Sequence, residues 1–191
     1  MSLQSWQETL ITAQTDGTAL NTSTTATSIL PAAARYTLPA NYLSIGKMLR
    51  VRAMCRLSNI VTTPGTLTLD IRMGPTSNIV VFNGGAMQLS TTAHTNVPLV
   101  FEAVLTCRAI GNSTNANFIG QGWALSQALS LTAVADSTTT PAHLLAPNTA
   151  PAVGTGFDST VAMVVDIYAT FSVSNAGNGI TLHQYSLESL N

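Results

Sequence analysis

Apolar and polar residues take turns over several long stretches of this chain, and the period is two rather than 3.6. From Lys47 onward, Leu49, Val51, Ala53, Cys55 and Leu57 fall on one side, while Arg50, Arg52, Met54, Arg56 and Ser58 fall on the other. Past the turn signal Pro64-Gly65, the residues Leu67, Leu69, Ile71 and Met73 alternate with Thr68, Asp70 and Arg72. The same pattern returns with Leu99, Phe101, Ala103, Leu105, Cys107 and Ala109, and at greatest length with Val161, Met163, Val165, Ile167, Ala169, Phe171 and Val173. Each run predicts a half-buried strand.

Between these runs the signals are weaker. Trp6, Leu10 and Ile11 precede Asp16-Gly17, which predicts a short strand and a turn. A Ser/Thr tract with Pro31 and Pro39 then denies a long helix, so residues 1–30 are expected to be an N-terminal strand and an extended arm. Residues 78–90 hold a short apolar run interrupted by Gly84-Gly85. Residues 124–134 fit helical spacing as well as alternation, with neighbouring Thr and Gly favouring strand. Residues 136–156 carry three prolines among small and hydroxyl side chains and read as a long surface loop. A turn cluster at residues 175–179 leads into a closing strand.

The first two regular runs are expected to form a hairpin, with Asp70 facing the arginines of the preceding strand. About eight strands without strand–helix alternation predict an all-β fold: an antiparallel β-sandwich, jelly-roll-like, in a single domain over residues 1–191. No repeat of 20 to 50 residues points to a propeller or solenoid.

Composition narrows the role. Charged residues are 8% of the chain, hydrophobic residues 46%, and the formal net charge is −1. A chain this apolar has a core to bury, which excludes a disordered tail. It also lacks the dense Lys/Arg field that phosphate backbones require, so no direct nucleic-acid binding is expected. Low charge gives little protection against association, which favours a homo-oligomer. Neither a signal peptide nor an apolar run long enough for a membrane span is visible, so no membrane partner is expected and the chain reads as soluble and made in a cytoplasm. Cys55 and Cys107 lie in alternating runs and read as buried thiols in preference to a bridge between strands.

Candidate chemistry is sparse. His94, His143 and His183 stand far apart, with no HxH, HExxH or CxxC spacing, so neither a metal nor a cofactor is expected. Gly84-Gly85 and residues 120–122 lack the strand-to-helix context of a phosphate loop and read as turns or bulges. Asp136 and Asp158 flank the long loop as ordinary loop residues, and no catalytic set is legible. Six arginines against one lysine is the remaining bias. Arginine suits interfaces through planar, bidentate pairing, while the plain alternative is a solvated strand face with ordinary ion pairs. The candidate interface residues are therefore Trp6, Arg50, Arg52, Arg56 and Trp123, the two tryptophans as core or contact anchors.

Residues 37–59, TLPANYLSIGKMLRVRAMCRLSN, followed by TTPGTLTLDIRMG and VFNGGAMQLSTTAHT, resemble virion structural proteins of tailed bacteriophages. The resemblance covers most of residues 29–134. It implies a jelly-roll capsid decoration, cement or tail-associated protein on the virion, working as a homo-oligomer, often a trimer, against the major capsid protein or other virion proteins. It carries no catalytic residues. A receptor- or glycan-binding module of a tail or fibre is the alternative on the same kind of fold.

Overall fold

The structure is a computed structural model that describes residues 6–130 and 142–190. Among them, thirteen strands and one short 3-10 turn at Ala32–Ala34 make up the regular structure. In chain order the strands are β1 (Gln7–Thr12), β2 (Leu20–Asn21), β3 (Thr27–Ser28), β4 (Tyr36–Leu38), β5 (Met48–Asn59), β6 (Thr66–Met73) and β7 (Ile79–Gln88). They continue as β8 (His94–Ala109), β9 (Asn117–Ser126), β10 (Ala142–Ala146), β11 (Ala152–Val153), β12 (Met163–Phe171) and β13 (Gly179–Leu190). Of the strands not expected, β2, β3, β4, β10 and β11 are short pieces of two to five residues, too brief to show a period, while β9 is a full ten residues.

Two antiparallel sheets form a sandwich. The large one runs β1-β13-β5-β8-β9-β10, with β2 on β13 and β11 on β9. The small one runs β3-β12-β6-β7, with β4 on β12. The first long strand pairs with the last, β5 with β13, and the second with the second-last, β6 with β12. This nested pairing brings distant parts of the chain into register.

Periodicity decides which faces meet. The inward positions of β5, β6 and β8 from Leu49 to Leu57, Leu67 to Met73 and Leu99 to Cys107 are buried, as are Met163 to Phe171 of β12. Val161 is an exception: it precedes β12 and is 39% exposed, because the ladder begins only at Met163. Phe82 of the small sheet meets Phe101 of the large one, ring centroids 6.2 Å apart. Gly120 makes room for that contact, since a Cβ there would lie 2.6 Å from Phe82 Cδ2.

The expected hairpin between β5 and β6 does not form. Both strands have one apolar face, and the two faces are buried by lying in opposite layers, so residues 60–65 cross from one sheet to the other. Positive φ at Thr63 (49°) and Gly65 (77°) makes that crossing. Asp70 consequently faces Tyr168 and Asn83 in the small sheet, not the arginines of β5.

The N-terminal strand is β1, and the segment after it runs extended along both sheets, with Leu20, Ile29 and Leu30 buried. Within the expected loop at residues 136–156, β10 and β11 both pair with β9. Ala142 and Ala146 point into the core there, and an edge position tolerates flanking prolines. Residues 136–141 of that loop, and residues 131–134 of the ambiguous run, lie outside the described residues. Gly84-Gly85 sits within β7 at a register shift, so the chain bulges rather than turns.

Candidate interaction face on the large sheet

The outer side of the large sheet carries an unusual mixture. Across β13, β5, β8 and β9, one row reads Ser186, Arg52, Glu102 and Trp123, with Leu145 next on β10. The row on one side reads Gln184, Met54, Val100 and Leu125, followed by His143. The row on the other side reads Glu188, Arg50, Val104 and Gln121. A one-sided antiparallel sheet ordinarily turns polar residues outward. Here Val100, Val104, Trp123 and Leu125 are only half-buried, while Met54 is 45% and Leu145 59% exposed.

Two of the arginines on this face, Arg50 and Arg52, are paired with carboxylates within it. Arg50 donates from Nε to Glu188 Oε2 at 2.8 Å, and its Nη2 joins the same oxygen in an ion pair. Glu188 accepts two further bonds, from Gln7 Nε2 at 2.9 Å and Ser186 Oγ at 3.3 Å. Arg52 Nε lies 3.0 Å from Glu102 Oε2. Arg56, at the end of the face, donates to the Asn96 carbonyl at 3.3 Å. Thus the register brings Arg50, Arg52, Arg56 and Trp123 onto one face, as the period of two in β5 dictates. Trp6 stands apart, 69% exposed just ahead of the edge strand β1.

Their carboxylate partners come from strands far away in sequence, which no local pattern could reveal. Trp123 is among the expected contact residues, but the strand that sets it and Leu125 on this face was hidden for a different reason. The inward residues of β9 are Phe118, Gly120, Gly122, Ala124 and Ser126, so small side chains mask the alternation. The trace that remains is the bulky outward set Ile119, Trp123 and Leu125.

The outer side of the small sheet holds an ion network of another character. Asp166 is buried; its Oδ1 accepts from Ser28 Oγ and the Ile167 N–H, both at 2.8 Å, and its Oδ2 lies 3.0 Å from Arg35 Nε. Beside it Arg72 donates to Asp70 Oδ2 at 3.1 Å and stacks its guanidinium 4.3 Å from the Tyr168 ring centre. Burial raises both carboxyl groups above their ordinary range, against the lowering effects of Ser28 and Arg35 on Asp166 and of Arg72 on Asp70. The network fastens the segment around β3 and β4 to β12.

The remaining candidate chemistry is dispersed. His94 Nδ1 lies 3.1 Å from Asn59 Oδ1, His183 Nδ1 lies 2.8 Å from Asp16 Oδ1, and His143 packs edge-on against Trp123. Among the described residues no three His, Cys, Asp or Glu side chains gather as a metal site. Asp158 Oδ1 accepts from the Thr160 N–H and hydroxyl in a loop, and Asp136 lies outside the described residues. Cys55 and Cys107 are both free and buried, and burial pushes the Cys55 thiol up to about 12. No helix among the described residues is long and apolar enough to cross a membrane.

No family model matches the chain, and no curated protein matches its sequence. Among solved structures it is similar to the carbohydrate esterase vb_24B_21 from the Shiga toxin-encoding bacteriophage phi24B, at 10% identity over 96% of this chain and 99% of that one, with a TM-score of 0.29. A likeness at that level decides neither architecture nor activity.

Proposed function

We propose that this chain is a structural subunit of a bacteriophage particle, a capsid decoration or cement protein that works as a homo-oligomer and joins the major capsid protein or other virion proteins. The observation that carries the proposal is the outer face of the large sheet, where half-buried and exposed apolar side chains stand among charged ones, and Arg50 and Arg52 are paired with carboxylates of the same face. A protein surface usually keeps large apolar patches covered, and contiguous ones mark interaction sites. The low charge of the chain and the resemblance of residues 37–59 to virion structural proteins support the same reading. A subunit of this kind needs no reaction. Bound across joints between shell subunits, it stabilises the assembled state by mass action.

The test is to purify the assembled particles and locate the chain on them by electron microscopy and mass spectrometry. Density for a β-sandwich at subunit joints is the expected result, and Leu125→Lys should abolish binding to the particle while the variant stays folded. Particles that lack the chain would overturn the proposal.

A further inference from the structure

The outer face of the large sheet is complementary to itself in one orientation, and this points to its partner. Imagine two copies packed face to face about a two-fold axis running between β5 and β8, parallel to both strands. The β5 strand of one copy then lies over β8 of the other, and β13 over β9. Read through the registers, Arg52 meets Glu102 of the second copy, and Glu102 meets its Arg52. One row away Met54 meets Val100, and Trp123 lies over Ser186. An axis along β8 would instead set Glu102 over itself, and an axis across the strands along their row would set Arg52 over Arg52. Like charges brought together in an interface oppose association, and of these three arrangements only the first sets opposite charges over each other.

The available area also suits a second copy. Five strands, β13, β5, β8, β9 and β10, stand side by side, and the register of β5 on β8 runs for ten residues from Met48 to Leu57. At about 4.8 Å between strands and 3.4 Å per residue, that face covers roughly 700 Å² per copy. Stable complexes bury about 800 Å² per partner. Stacked sheets pack in this aligned manner in sandwiches generally, and a surface that packs on its own copy closes as a two-fold dimer.

We infer that the chain forms a two-fold dimer by packing the outer faces of two large sheets, with Arg52 and Glu102 exchanging partners across the axis. The inference deepens the proposed role by naming what covers the face, and it rests on that face being used in assembly.

Charge reversal with mixing tests it. R52E places Glu on Glu across the axis and E102R places Arg on Arg, so each variant alone should dimerise at least roughly tenfold more weakly than the parent in sedimentation velocity. In an equimolar mixture every contact becomes Glu on Arg, and the dimer should return as a heterodimer. Circular dichroism reports whether each variant folds. Should a reversal fail to fold, M54E mixed with V100K gives the same readout through the neighbouring row. A wild-type chain that is monomeric or trimeric, reversals that dimerise like the parent, or a mixture that stays monomeric would each overturn the dimer. Wild-type binding to particles is a separate measurement: a monomer that still decorates them overturns this inference alone.

Discussion

Asp166 and Arg35 form a pair in which the two partners differ in what their loss would expose. The carboxylate is wholly buried, while the arginine side chain is 40% exposed. Removing the arginine leaves a buried charge with less compensation, whereas neutralising the aspartate leaves a cation already in contact with water. We predict that Arg35→Ala lowers stability at pH 7 by about 1–2 kcal/mol, reduced from the fully buried case by solvent screening. Asp166→Asn, whose Oδ1 can still accept from Ser28 and Ile167, should stay within about 1 kcal/mol of the parent. The pH dependence has a definite sign. A carboxyl held above its unfolded value binds its proton more tightly in the folded state, so its contribution is present at low pH and is lost as pH rises through the folded value. Urea unfolding should therefore show a stability that falls with rising pH above the ordinary aspartate range in the parent, and a shallower fall in Asp166→Asn. A larger loss for Asp166→Asn than for Arg35→Ala would refute this account.

At the scale of strands, the contact between layers at Gly120 is the most exacting. Phe82 crosses the sandwich to lie against the β9 backbone, and a methyl group at residue 120 would sit 2.6 Å from its ring. Ring and backbone are both enclosed, so neither can yield without repacking. Gly120→Ala should cost about 1–3 kcal/mol in chemical unfolding, the range for an overpacked core. Unchanged stability would mean that Phe82 has room to move. The same site explains what was legible in the sequence and what was not. Strands β5, β6, β8 and β12 are apparent because their inner residues are large and their outer ones mostly polar. β9 escaped because its inner residues are small, the space they would occupy being filled from the other layer. The layer crossing between β5 and β6 was illegible too: alternation assigns a face to each residue but leaves open which sheet a strand joins. The arginine face was readable along β5, whereas its partners Glu102 and Glu188 come from strands paired at long range.

For the molecule as a whole, the N-terminal segment separates folding from assembly. An arm that only reached toward neighbours could be removed without harm to the sandwich. Yet Leu20, Ile29 and Leu30 are 4%, 0% and 1% exposed, and the Gly17 and Ile29 N–H groups donate to Leu182 and Ile167 carbonyls at 2.8 and 3.0 Å. Burying each such side chain contributes about 1.5–3 kcal/mol. Losing all three removes an amount comparable to the roughly 5–15 kcal/mol by which a whole domain is stable. Deleting residues 1–30 should therefore unfold the sandwich, seen as loss of the β-sheet circular dichroism signal and of soluble yield. Deleting only residues 1–12 removes β1, whose side chains are exposed or half-buried, and should leave a cooperative unfolding transition at a lower temperature. A fragment of residues 31–191 melting near the full chain would show that the segment is an accessory. Because truncation through Leu30 perturbs the core, a loss of assembly in that variant reports on folding, and only substitutions on the outer face of the large sheet, such as Leu125→Lys, report on association itself.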